Sequence, residues 1–158
     1  MAPVERTLIV NPAGIEPDHV QHDGYEYFKR LVVPRAGNQC TVAMMEIPPG
    51  KSAYPSHYHA GVTEVFYIID GTGVLTTADG EHAVGPGDVI VCPPGPAGTH
   101  KMTNPSATET LRYLDFDTTS PVDVPFYPDS GKLTVIIDGE RAAGPFRLSS
   151  EVDYYDGE

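Results

Sequence analysis

The sequence predicts an all-β protein, a sandwich or barrel of short strands, and three observations carry that expectation. Glycine and proline each occur 16 times in 158 residues, a density of chain breakers that argues against long helices. Short apolar runs alternate with Gly/Pro turns along most of the chain, as packed sheets with tight corners require. The longest stretch free of both residues, 106–120, has no helical period. The length fits one domain, 1–158, able to bury roughly 70% of the surface its unfolded chain exposes.

In chain order, strands are expected at 7–10, 29–33, 40–47, 64–70, 74–78, 81–84, 89–92, 100–104, 110–116, 133–137 and 146–149. Pro48-Pro49-Gly50, Gly71-Thr72-Gly73, Gly85-Pro86-Gly87 and Pro93-Pro94-Gly95-Pro96 mark corners between them. Asp79-Gly80 lies between two β-rich runs and has the residues of a type I′ hairpin, which needs positive φ. The segment 25–33 has room for a short helix ahead of its strand. A denser core at about 40–117 is flanked by extensions, 1–38 and 118–158. The acidic tail 149–158 reads as a solvated terminus with Tyr154 and Tyr155 set against the body.

In 64–70, Phe66 and Ile68 share the side of Glu64, while Val65, Tyr67 and Ile69 point the other way. A sheet with one wet face would alternate with polar residues. Both faces should therefore be covered, the outer one by the terminal segments and by a second copy of the chain. A homodimer is expected.

The balance of charge narrows the partners. Lys and Arg number 10 against 22 Asp and Glu, a net charge of −12. There is no basic stripe to neutralise phosphates and no polybasic patch for an anionic membrane surface. No apolar run approaches the roughly 20 residues that span a bilayer, and the first ten residues lack a signal-peptide pattern. The expected partners are a small-molecule ligand and a second copy, without nucleic acid or membrane, and the expected location is the cytoplasm. Cys40 and Cys92 are too few for a disulfide framework and read as buried, inert thiols.

The chemistry lies in the histidines. His57 and His59 are two apart, so an extended chain projects both imidazoles to one side. A turn across 60–63, eased by Gly61, would return Glu64 beside them. His100 follows a Pro/Gly-rich turn on a later strand. Three neutral imidazoles and a carboxylate suit Fe, Zn, Cu or Ni, and the carboxylate adds tolerance for Mn. His82 reads as an exposed strand residue, and His19 and His22 as part of a polar loop. Further pocket candidates are Tyr54 beside the histidine pair, Phe66 on the side of Glu64, and Met102 and Asn104 on the side of His100. Arg112, sharing a face with Leu114 and Phe116, could enter a pocket and hold an acidic group.

These residues resemble the cupins. The first cupin motif appears as Gly50, His57-x-His59, Glu64 and Gly71, and the second as Gly87, Pro93-x-Gly95, His100 and Asn104. The stretch from Gly50 to His57 is one residue longer than usual. Pro93-x-Gly95 stands further than usual from His100, with Pro96-x-Gly98 available in its place. The resemblance, over about 40–117, implies a double-stranded β-helix (jelly-roll) barrel with flanking terminal strands. It also implies one divalent transition metal ion inside, Fe, Mn, Ni or Zn, held by His57, His59, Glu64 and His100. The likeness is to small single-domain cupins of unassigned activity, some of them called sugar-phosphate isomerase-like. The expected function is metal-dependent chemistry on a small polar metabolite, as isomerase, hydrolase or dioxygenase. The alternative is a non-enzymatic barrel that binds or senses a small ligand.

Overall fold

In the computed structural model, which describes residues 3–158, strands run at Asp18–His22 (β1), Tyr25–Val33 (β2), Cys40–Ile47 (β3), Tyr58–His59 (β4), Glu64–Asp70 (β5), Gly73–Thr77 (β6), Gly80–Val84 (β7), Val89–Cys92 (β8), His100–Thr103 (β9), Leu111–Thr118 (β10), Val122–Asp123 (β11), Pro125–Tyr127 (β12), Lys132–Ile137 (β13) and Glu140–Arg147 (β14). A six-stranded antiparallel sheet in the order β1-β2-β3-β10-β5-β8 forms one layer. A three-stranded sheet, β7-β6-β9, and a second group, β11-β13-β12-β4 with β14 on β13, lie outside it. An antiparallel bridge between His57 and His100 joins these two smaller sheets. The fold is a jelly-roll, as the resemblance to the cupins implies, and its short strands and Gly/Pro corners are those of the all-β barrel that the sequence pattern predicts.

Register sorts the interior into two zones. β10 pairs Leu111 with Ile47, Tyr113 with Met45, Asp115 with Ala43 and Asp117 with Thr41 on β3. On its other side Tyr113 meets Ile68, Asp115 meets Phe66 and Asp117 meets Glu64 of β5. One end of the barrel is therefore filled by Met45, Ile47, Ile68, Leu75, Met102 and Leu111, all buried. Each such side chain contributes roughly 1.5–3 kcal/mol by leaving water. The other end holds Glu64, Asp115 and Asp117, equally buried. A polar pocket thus rests on an apolar floor.

Several local expectations change. Residues 25–33 are strand throughout, because β2 finds a partner on each side in β1 and β3. β1 itself has no apolar pattern and is exposed along its length, so periodicity could not reveal it. Its turn residues Asp23 and Gly24 both have positive φ, 28° and 79°. The second hairpin turns one residue early: Thr77 pairs with Gly80, and the Thr77 hydroxyl accepts from Asp79 N at 3.2 Å. Residues 7–10 lie outside any strand, and Tyr154 and Tyr155 are exposed rather than set against the body.

The outer face of β5 and β8 is bare within one chain. Tyr67 and Ile69 are 45% and 40% exposed, and Val89 and Val91 are 64% and 60% exposed. At the edge of this face Asn11–Ala13 share a groove with Met44 and Ile69. No helix among the described residues is long and apolar enough to cross a membrane.

Candidate metal centre

The bridge between the smaller sheets sets two imidazoles side by side, tilted 54° to one another. His57 N donates to His100 O at 3.1 Å, and His100 N returns the bond to His57 O at 2.9 Å. Their ring centroids are 4.6 Å apart, and the His59 ring is 5.3 Å from that of His57. After the turn at 60–63, Glu64 opens β5 and brings its carboxylate into the same space. All four residues are buried.

Each imidazole engages Nδ1 away from the centre. His57 Nδ1 donates to Pro55 O at 2.9 Å, His100 Nδ1 to Gly98 O at 2.8 Å, and His59 Nδ1 to Asp123 Oδ2 at 2.5 Å. Nε2 of all three rings then faces Glu64, 3.8 Å from His57, 3.5 Å from His59 and 3.1 Å from His100. An imidazole whose Nδ1–H is committed presents its Nε2 lone pair, the form a metal takes. His57, His59 and Glu64 each offer a ligand atom within 4.8 Å of the others, a span that one ion with bonds of roughly 2.0–2.3 Å can bridge.

The electrostatics favour positive charge on two of the three rings. Burial pushes His57 down to about 4. Burial opposes charge at His59 too, but Asp123 and Glu64 outweigh it and hold the ring up to about 9. At His100 Cys92 and Glu64 outweigh burial in the same way, to about 11. A pocket that retains protons on buried imidazoles is one that a divalent cation can enter with proton release. The donor set, the inward-turned Nε2 atoms and this field fit a transition ion.

The loop before His100 depends on glycine. A Cβ on Gly98 would lie 1.9 Å from Pro93 O, so only hydrogen allows the chain to fold back over 93–98. Gly95, at φ 88°, donates its N–H to His59 O at 2.7 Å. Pro96–Gly98 forms the 3-10 turn whose last carbonyl receives His100. The extra length between Pro93 and His100 is absorbed there, and His100 still reaches the centre.

Tyr54, Phe66 and Met102 line a small cavity of about 20 Å³, bounded also by His57, Glu64 and His100. Asn104 is buried elsewhere and has a structural task, donating to Ile47 O and Glu109 O at 2.8 Å each. Arg112 departs from its expected place. It lies on the outer face of β10 and donates to Asp70 Oδ2 at 3.0 Å, because the inward positions of that strand are Leu111, Tyr113, Asp115 and Asp117.

Sequence reasoning missed the groups behind the ligands. Asp123, 1% exposed, accepts from both His59 and Gly61 N. Arg35 donates to Asp117 Oδ2 at 3.1 Å and to Asp123 Oδ2 at 3.5 Å. Lys29 lies 3.8 Å from Asp115 Oδ2. Burial, then Asp115 and Glu64, push Asp117 up to about 8, and burial raises Asp115 as well. Alternation on 110–116 offered a signal for Asp115 once the inward face was chosen, and Asp117 lay one residue beyond that expected strand, which runs on to Thr118.

Comparison with known proteins agrees with the fold. Residues 43–117 match the family described as Cupin domain. These residues, just under half of the chain, are similar to a cupin domain. A structure from Silicibacter pomeroyi, described as a sugar phosphate isomerase of the cupin superfamily, is 20% identical. It covers 94% of this chain and 98% of its own, with a TM-score of 0.76. A structure from Acidithiobacillus ferrooxidans, also titled for a sugar phosphate isomerase, is 23% identical over 92% of this chain and 94% of its own, with a TM-score of 0.73. At such identities the shared property is the fold. A curated relative, acireductone dioxygenase of Rhodopseudomonas palustris, is 40% identical over 62 residues. That match spans 37% of this chain and 37% of the relative's length.

Proposed function

We propose that this cupin is a divalent-metal-dependent enzyme for a small polar metabolite, with His57, His59, Glu64 and His100 as its ligands. The observation that carries the reading is the orientation of the three imidazoles. Each is tied at Nδ1 and turns Nε2 toward one carboxylate, beside a small cavity. A bound ion would polarise a substrate oxygen or activate a coordinated molecule.

The remaining parts fit substrate handling. The space beside these residues is about 20 Å³, room for little more than one water or a coordinated atom, so a metabolite would enter only as the lining moves. Phe66 and Met102 supply an apolar wall, and Tyr54 supplies a phenol that burial keeps protonated far above neutral pH. Tyr54 can therefore orient a substrate oxygen by donating a hydrogen bond. Isomerisation is supported by the fold of the two sugar phosphate isomerase structures, and dioxygenation by the short match to acireductone dioxygenase. The same reading pairs the chain with a second copy through the bare face of β5 and β8.

The test is turnover by metal-stripped and metal-reloaded protein. Proton NMR in D2O would follow a panel of sugar phosphates and small hydroxy-carbonyl compounds. Turnover that returns with metal and is absent in His57→Ala supports the enzyme. Tight binding of a metabolite with no turnover at any metal would instead favour a ligand-binding barrel.

A further inference from the structure

We propose that the barrel holds a second cation site, built from Glu64, Asp115 and Asp117 and sharing Glu64 with the imidazole cluster. The three carboxylates place one oxygen each within 4.8 Å of one another. Asp115 and Asp117 are 5% and 2% exposed. The Oδ1 atom of each is buried and has no hydrogen-bond partner among the described residues. Buried carboxylate oxygens are paired, protonated or metal-bound, so these two on one strand face share a proton when the site is empty and can exchange it for a cation.

The surrounding cations do not fill that role. Lys29 lies beside Oδ2 of Asp115, and Arg35 donates to Oδ2 of Asp117. The wall of the barrel thus neutralises one oxygen of each acid and leaves the other. Space for an ion exists, because the cavity is bounded by Glu64, Asp115 and Tyr113. Three carboxylates are hard oxygen donors, the set that takes Mn2+ or Mg2+ rather than a softer ion. Glu64 has two oxygens, and a carboxylate bridge matches the roughly 3.5–4 Å separation of two-metal centres.

This inference shares Glu64 with the proposed imidazole site but stands on different residues, and the experiment separates them. Full-length protein, stripped with chelator, is dialysed against Mn2+, and bound manganese is counted per chain. Wild type is expected to bind two ions, and the Asp115→Asn/Asp117→Asn double variant one. Electron paramagnetic resonance of the wild type needs no variant, and a spin-coupled Mn2+ pair is expected. Two uncoupled ions, or two ions retained by the double variant, overturn the proposal. One ion in wild type, kept by the double variant and lost in His57→Ala, overturns it while leaving the imidazole site standing. One ion lost in the double variant and kept in His57→Ala upholds it and overturns the imidazole site.

Discussion

The Asp123 carboxylate receives Nδ1–H of His59 across 64 residues of sequence and is itself almost wholly buried. Oδ1 of the same group accepts from Gly61 N at 3.0 Å, so one side chain fixes both a ligand and the turn that follows it. Arg35 closes the arrangement by reaching Asp123 and Asp117 together. Partners of this kind orient ligands and raise their basicity.

Asp123→Asn is expected to weaken metal binding by about 10–100-fold although every ligand remains. The amide would turn its NH2 toward His59 Nδ1, moving the ring proton to Nε2, where it blocks the metal. Competition titration with a chromophoric chelator gives the dissociation constant. An unchanged constant would remove Asp123 from the account.

The acid pair gives the metal-free protein a pH-dependent stability. In the folded state Asp117 is raised to about 8 from an ordinary value of 3.8. Between these values the folded chain holds a proton that the unfolded chain has lost, so stability falls as pH rises across that window. Below pH 4 the group is protonated in both states and the penalty vanishes. Asp117→Asn should therefore melt higher than the stripped wild type at pH 7 and close to it at pH 3.5. Equal melting differences at both pH values would contradict this.

Gly98→Ala should cost about 1–3 kcal/mol, a typical overpacking penalty, since its Cβ would meet Pro93 O at 1.9 Å. Melting several degrees below wild type is expected, with weaker metal binding because Gly98 O anchors His100. Wild-type melting would mean the 93–98 turn tolerates the methyl group.

Exposed Tyr67, Val89 and Val91 form the apolar strip assigned to a second copy. Sedimentation equilibrium should give twice the chain mass for wild type and the single-chain mass for Val91→Lys. A monomeric wild type at high micromolar concentration would leave the strip without this explanation.

The fold and the four ligand candidates were legible because both are local patterns. Gly/Pro corners delimit the strands, and His57, His59 and Glu64 lie within eight residues that turn once. β1 was not legible, since it is polar and exposed and exists by pairing with β2. Asp115 and Asp117 were hidden by a choice between two faces of one strand, which only the register with β3 and β5 settles. Asp123 and Arg35 come from flanking segments whose sequences carry no motif. Long-range pairing places them, and composition and period do not encode it.

Cobalt binding tests the central claim most directly, because the visible spectrum of Co2+ reports imidazole ligation as it is titrated. Wild type should develop ligand-field bands at one equivalent bound to the imidazole cluster. His57→Ala should bind Co2+ at least tenfold more weakly with altered bands. Identical spectra and affinity in the two proteins would contradict a metal held by these rings.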